Sequence, residues 1–101
     1  EDSLTQTQNT ITAPMGFELK QNYPNPFNPS TTISFSLPTA NQVNLNIYNA
    51  LGRLVATVVD EHLSAGTHEF LWQAANMSSG LYFYTLTSGS FSQTKRMILL
   101  K

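Results

Sequence analysis

Three features of the sequence predict an all-β protein built as an antiparallel two-layer sandwich of about seven strands. Apolar and polar residues alternate with period two in several stretches, the signature of strands with one buried face. Turn-forming residues punctuate those stretches at intervals of roughly 8–12 residues. No stretch sustains a 3.6-residue apolar period, so helix has no claim on the core.

Taken in order, residues 1–16 are rich in Ser, Thr, Gln and Asn, have apolar points only at Leu4, Ile11, Ala13 and Met15, and follow neither period. They are expected to form a flexible polar linker, leaving 17–101 as the folded domain. Phe17 and Leu19 alternate with Glu18 and Lys20, which suits a short edge strand. From Gln21 to Thr32 the chain carries prolines at 24, 26 and 29. Each proline fixes its own φ, biases the residue before it away from helix and donates no hydrogen bond, so neither a helix nor a central strand can run here. A stiff, ordered loop is expected, with Tyr23 and Phe27 seeking apolar cover.

Ile33, Phe35 and Leu37 then alternate with Thr32, Ser34 and Ser36 up to Pro38, and Val43, Leu45 and Ile47 repeat the pattern after a turn at 39–41. Gly52 closes the Asn49–Gly52 turn. Arg53 to Asp60 is β-branched and apolar on both faces, which predicts a more deeply covered strand. Ser64-Ala65-Gly66 reads as a turn, followed by His68, Phe70 and Trp72 on one face of a strand with Glu69, Leu71 and Gln73 on the other. Residues 74–80 read as a loop. Leu81 to Thr87 is the strongest β-forming stretch, aromatic on both faces, and Ser88-Gly89 turns it into a last strand over Phe91–Leu100. Phe35, Leu45, Ile47, Phe70, Trp72 and Phe83 are expected in the core.

Composition narrows the function. A chain of 101 residues, 41% hydrophobic, suits one small domain. Net charge is −1 with 11% charged residues, so there is no basic patch for nucleic acid. With no cysteine, disulfides, thiolate nucleophiles and zinc–thiolate sites are excluded. No apolar run approaches the ~20 residues of a membrane-spanning helix, and residues 1–16 are too polar for a secretory signal. The chain begins at Glu and reads as the tail of something longer.

Catalytic constellations are sparse. No Gly-x-Ser-x-Gly occurs, and carboxylate pairs drawn from Asp60, Glu61 and Glu69 have no cleft signal beside them. Asp60 and His62 can share a strand face, but two ligands do not make a metal site, and a solvated turn is the simpler reading. His68, among apolar neighbours, reads as a hydrogen-bonded core or edge histidine. Asn76-Met77-Ser78 matches a glycosylation sequon, a frequent chance match. Neither metal nor cofactor is expected. Tyr48, Trp72, Tyr82 and Tyr84 could line a sugar-binding face, so a carbohydrate-binding or adhesive sandwich module of a secreted enzyme is the competing function; packing of at least half of them in the core is the plainer reading.

Charge is clustered more tellingly. Three of the five cations, Lys95, Arg96 and Lys101, bracket Met97-Ile98-Leu99-Leu100. Such a segment is either an edge strand protected from aggregation or a terminal strand shown to a partner through backbone pairing.

The order Leu19 to Phe35 through the proline loop, Val43 to Gly52, Leu63 to His68 with Trp72, Ser79 to Tyr84 and the ending Lys95 to Lys101 closely resembles the type A C-terminal sorting domain of the type IX (Por) secretion system of Bacteroidota and related bacteria. The resemblance covers about Phe17 to Lys101 in five ordered blocks. It implies an immunoglobulin-like seven-stranded sandwich that is the last domain of an exported protein, an address label with no catalysis of its own. It implies transit through the periplasm to the cell surface or beyond, an outer-membrane translocon with shuttle proteins as partners, and, in many members, removal by a sortase-like cysteine peptidase cutting within the leader. By position, the motif residues are Asn22, Tyr23, Pro24, Asn25, Pro26, Phe27, Asn28 and Pro29; Gly80, Leu81 and Tyr82; and Lys95, Arg96, Met97, Ile98, Leu99, Leu100 and Lys101. Arg96 stands where lysine is frequent in the family and keeps the charge.

Overall fold

A computed structural model describes residues 16–101, so the expected leader, apart from Gly16, lies outside the described residues. Seven strands form: β1 (Glu18–Leu19), β2 (Ser30–Leu37), β3 (Asn41–Asn49), β4 (Leu54–Leu63), β5 (Gly66–Gln73), β6 (Gly80–Ser88) and β7 (Phe91–Leu99). They divide into a three-stranded sheet, β1-β2-β5, and a four-stranded sheet, β4-β3-β6-β7, with every strand pair antiparallel. The chain crosses between sheets after β2, β4 and β5, which gives the immunoglobulin-like sandwich its interleaved order.

The period-two pattern decides which side of each strand is buried. Ile33, Phe35 and Leu37 on β2 face Val43, Leu45 and Ile47 on β3 across the interior, all fully buried. Each large side chain placed there contributes roughly 1.5–3 kcal/mol of burial free energy. Trp72 from β5 and Tyr82 from β6 meet edge-on, ring centroids 6.0 Å apart.

Three expectations are corrected. The 53–60 run is not deeply covered: β4 is an edge strand, and Val59 is its one buried side chain. The β3–β4 register slips between Leu45 and Asn46 and again between Ile47 and Tyr48, leaving Val58 and Val55 without a Cα partner. These bulges break the alternation, so β-branched residues follow one another without two covered faces. Phe83 is half-buried on the outer face, because Tyr82, Tyr84 and Leu86 hold the inward positions of β6. Period two fixes the spacing of an aromatic run but not which set turns inward. Gly66 also belongs to β5, where it pairs with Leu37, so the β4–β5 connection is only Ser64 and Ala65.

Candidate recognition site

The proline loop leaves the three-stranded sheet and closes over the outer edge of β7 in the other sheet. Its near end is pinned by Tyr23 and Thr32, which exchange backbone hydrogen bonds of 3.0 and 2.9 Å. Its far end is pinned by Phe27, whose N–H donates to the Ile98 carbonyl (2.9 Å) and whose carbonyl accepts from the Leu100 N–H (3.0 Å). Between them, the Ile98 N–H donates to Asn25 Oδ1 (3.0 Å), and Gln21 Nε2 donates to the Arg96 carbonyl (2.7 Å). Prolines suit this role, since a chain lacking N–H groups at 24, 26 and 29 cannot continue as a regular strand, and its backbone meets the edge at the single bridge of Phe27. The X-Pro bonds at 24, 26 and 29 are all cis.

The base of the loop is a buried polar lock. Asn22 is nearly inaccessible; its Nδ2 donates to the Pro24 carbonyl (3.1 Å) and to Thr31 Oγ1 (2.9 Å), and Thr31 Oγ1 donates to the same carbonyl (2.9 Å). The Tyr84 hydroxyl donates to the Lys20 carbonyl (2.8 Å) and accepts from the Asn22 N–H (2.8 Å). Burial pushes the Tyr84 hydroxyl up to about 12, against a smaller opposing pull from the Asn22 N–H. The network satisfies backbone groups that a non-strand segment would otherwise bury unpaired. Phe27 is buried with its ring centroid 5.8 Å from that of Trp72. Tyr23, expected to find apolar cover, is instead 80% exposed.

Loop, β6 and β7 enclose a shallow cleft of about 380 Å³ lined by Gln21, Asn25, Leu81, Arg96, Met97 and Ile98. Each of the three sequence blocks, far apart in the chain, therefore contributes at least one residue to this cleft. Gly80 opens β6 with φ 148°, a backbone conformation that side-chain-bearing residues rarely adopt. At the end of the chain, the Lys101 N–H donates to Ser79 Oγ (2.9 Å) and Lys101 Nζ to the Ala75 carbonyl (2.6 Å). Met97 and Leu99 point into the core, whereas Arg96, Ile98 and Leu100 face solvent.

The expected exposed edge of the terminal strand is thus corrected. From Arg96 to Leu100 its outward backbone groups are already bonded by the loop, so no partner strand can add there while the loop is seated. Sequence reasoning also missed Lys20, Thr31 and Tyr84, which seat the loop; Lys20 does so through its backbone carbonyl, which no side chain announces, and Thr31 and Tyr84 are of types ordinary for strands.

The remaining candidates are structural. His68 Nε2 lies 2.8 Å from the Ser64 carbonyl, with its ring against Phe35 (centroids 5.7 Å apart). Asp60 accepts from Gln42 Nε2 (3.0 Å), and among the described residues no three metal-ligating side chains cluster. Asn76 and Ser78 of the sequon are exposed. Trp72, Tyr82 and Tyr84 are in the core and Tyr48 is half-buried, so the row of exposed rings that a sugar-binding face needs is missing among the described residues.

The profile of the secretion system C-terminal sorting domain family matches residues 21–100, and the chain belongs to that family. It is a C-terminal sorting signal domain of the type IX, or Por, secretion route. Among solved structures it is similar to PorZ of Porphyromonas gingivalis, described as an essential bacterial surface component of the type IX secretion system, with a TM-score of 0.57 and 22% identity. That match covers 80% of this chain and 11% of PorZ, and shows a shared fold. Comparison with curated proteins gives no match.

Proposed function

We propose that the domain is a type A sorting label read by the outer-membrane translocon and its shuttle proteins, with residues 17–101 as the label and 1–16 as the spacer to an upstream cargo. The cargo passes through the periplasm and reaches the cell surface or the medium, and a sortase-like cysteine peptidase separates it from the label within the spacer. The domain performs no catalysis. The observation that carries this reading is that Asn25 of the proline loop, Leu81 of β6 and Arg96, Met97 and Ile98 of β7, one or more from each motif block, line one cleft.

A reporter with an ordinary export signal, fused ahead of residues 1–101, is expected at the surface of a bacterium that has a type IX system. Removal of Met97–Lys101 is expected to leave it in the periplasm; full surface yield after that removal would overturn the reading. Because this deletion takes Met97 and Leu99 from the core, circular dichroism of the truncated domain accompanies it. Mass spectrometry of the surface reporter then tells whether residues 17–101 are still attached.

A further inference from the structure

The sandwich has two unlike ends. The entry end holds Glu18, paired with Ser36, and the turns at 38–40, 64–65 and 89–90. The far end holds the proline loop, the Asn49–Arg53 turn, the 74–79 connection and Lys101. Among the described residues, the exposed large hydrophobic ones are Tyr23, Leu51, Leu54, Leu71, Ile98 and Leu100, and all six lie towards the far end. Strand pairing fixes this placement: Tyr23 and Leu71 both pair with Thr32, Leu54 with Tyr48 and Ile98 with Leu81, each within about three residues, or ~10 Å, of the strand ends.

Charge follows the same axis. Arg53, Arg96 and Lys101 lie towards the far end, and Lys20 and Lys95 near mid-strand. Among the described residues, Glu18 (opposite Ser36), Asp60 (opposite Asn44) and Glu61 (opposite Val43) sit on the entry side, and Glu69, opposite Ser34 as Lys20 is, lies near mid-strand.

Resting on the sorting-label reading above, we propose that the far end docks end-on into a concave protein surface whose apolar floor is rimmed by carboxylates. The belt of exposed apolar residues spans the outer faces of both sheets, with Leu71 on the three-stranded sheet, Leu54 and Ile98 on the four-stranded sheet and Leu51 in the β3–β4 turn at its tip, so a flat partner could touch only part of it. Among the described residues no acidic side chain lies towards the end that holds Arg53, Arg96 and Lys101, which gives the partner its charge. Exposed apolar side chains gathered in one region mark an interaction site, whereas scattered ones do not. The cargo, joined through Gly16 at the entry end, then trails away from the receptor.

The test places Leu51→Glu, Leu54→Glu and Leu71→Glu in the reporter fusion, with Ala40→Glu and Ala65→Glu at the entry end as controls. All five are exposed positions, and thermal melts of the purified variants check that each still folds. Surface reporter is expected to fall at least tenfold for the three belt variants and to hold for the controls. Loss of export with either control alone, or export retained by folded belt variants, would overturn the end-on inference while leaving the sorting reading intact. Failure of the unmodified fusion to reach the surface would instead remove the sorting reading and this inference with it. Sedimentation of the unmodified domain with phosphatidylglycerol vesicles is expected to be absent. Binding to them that the belt variants lose would make a lipid surface the occupant and overturn a protein one.

Discussion

The Tyr84 hydroxyl carries more than its size suggests, because it satisfies two backbone groups of a loop that has no strand partners of its own there. In Tyr84→Phe the Asn22 N–H is buried without an acceptor, and a loss of about 1–3 kcal/mol is expected from urea denaturation. The same residue makes the domain alkali-sensitive. Unfolded, its phenol ionises near 10; folded, near 12. Between these values the unfolded state binds fewer protons, so stability falls as pH rises, at about 1.4 kcal/mol per unit for this one group. The decline is fully present only above the folded value and absent below pH 10. Unfolding free energies measured from pH 9 to 12 should therefore converge for wild type and Tyr84→Phe. Gly80 is the other sensitive point: an alanine there must adopt φ 148° or move the start of β6, at a cost of about 1–3 kcal/mol.

Among the elements, the coupling of loop to terminal strand is the feature the sequence showed only in halves. Three prolines announced a rigid, non-strand segment and the clustered cations announced an end strand, and both are where the alternation put them. Their contact was not legible, because it runs through the backbone of Arg96, Ile98 and Leu100 and through Asn25 and Gln21 side chains, with no periodic signature. β4 was misread for a related reason: two bulges destroy the alternation from which depth is inferred. Where β2, β3 and β5 keep strict alternation, inward and outward faces followed directly from the residues. Phe27 is the hinge between loop and core, seated against Trp72. Phe27→Ala should free the loop before it unfolds the sandwich, seen as faster amide exchange at Ile98 and Leu100 with protection in β3 and β6 retained. Trp72→Ala, which removes the ring both Phe27 and Tyr82 pack on, should cost about 3–5 kcal/mol globally.

At the scale of the whole molecule, the described residues form a sandwich whose two ends differ in exposed apolar residues and in charge. The cleft between loop and β7 offers side chains, not a free backbone edge, so under the proposed reading it is the charge and shape of those side chains that a partner would meet. Arg96 is the cleanest probe: its backbone carbonyl holds Gln21, but its side chain is exposed and lines the cleft. Lys101 is less clean, since its ammonium is bonded to the Ala75 carbonyl, and Lys95 is half-buried beside Tyr84. Arg96→Glu should leave the melting temperature within a degree or two of wild type, as surface changes away from packed groups usually do. If recognition depends on positive charge, its export should drop several-fold, and Arg96→Lys should restore most of it. Equal export by Arg96→Glu and wild type would mean that electrostatics at this cleft plays no part in sorting. A drop that Arg96→Lys fails to rescue would point instead to the planar, bidentate geometry of guanidinium as the feature being read.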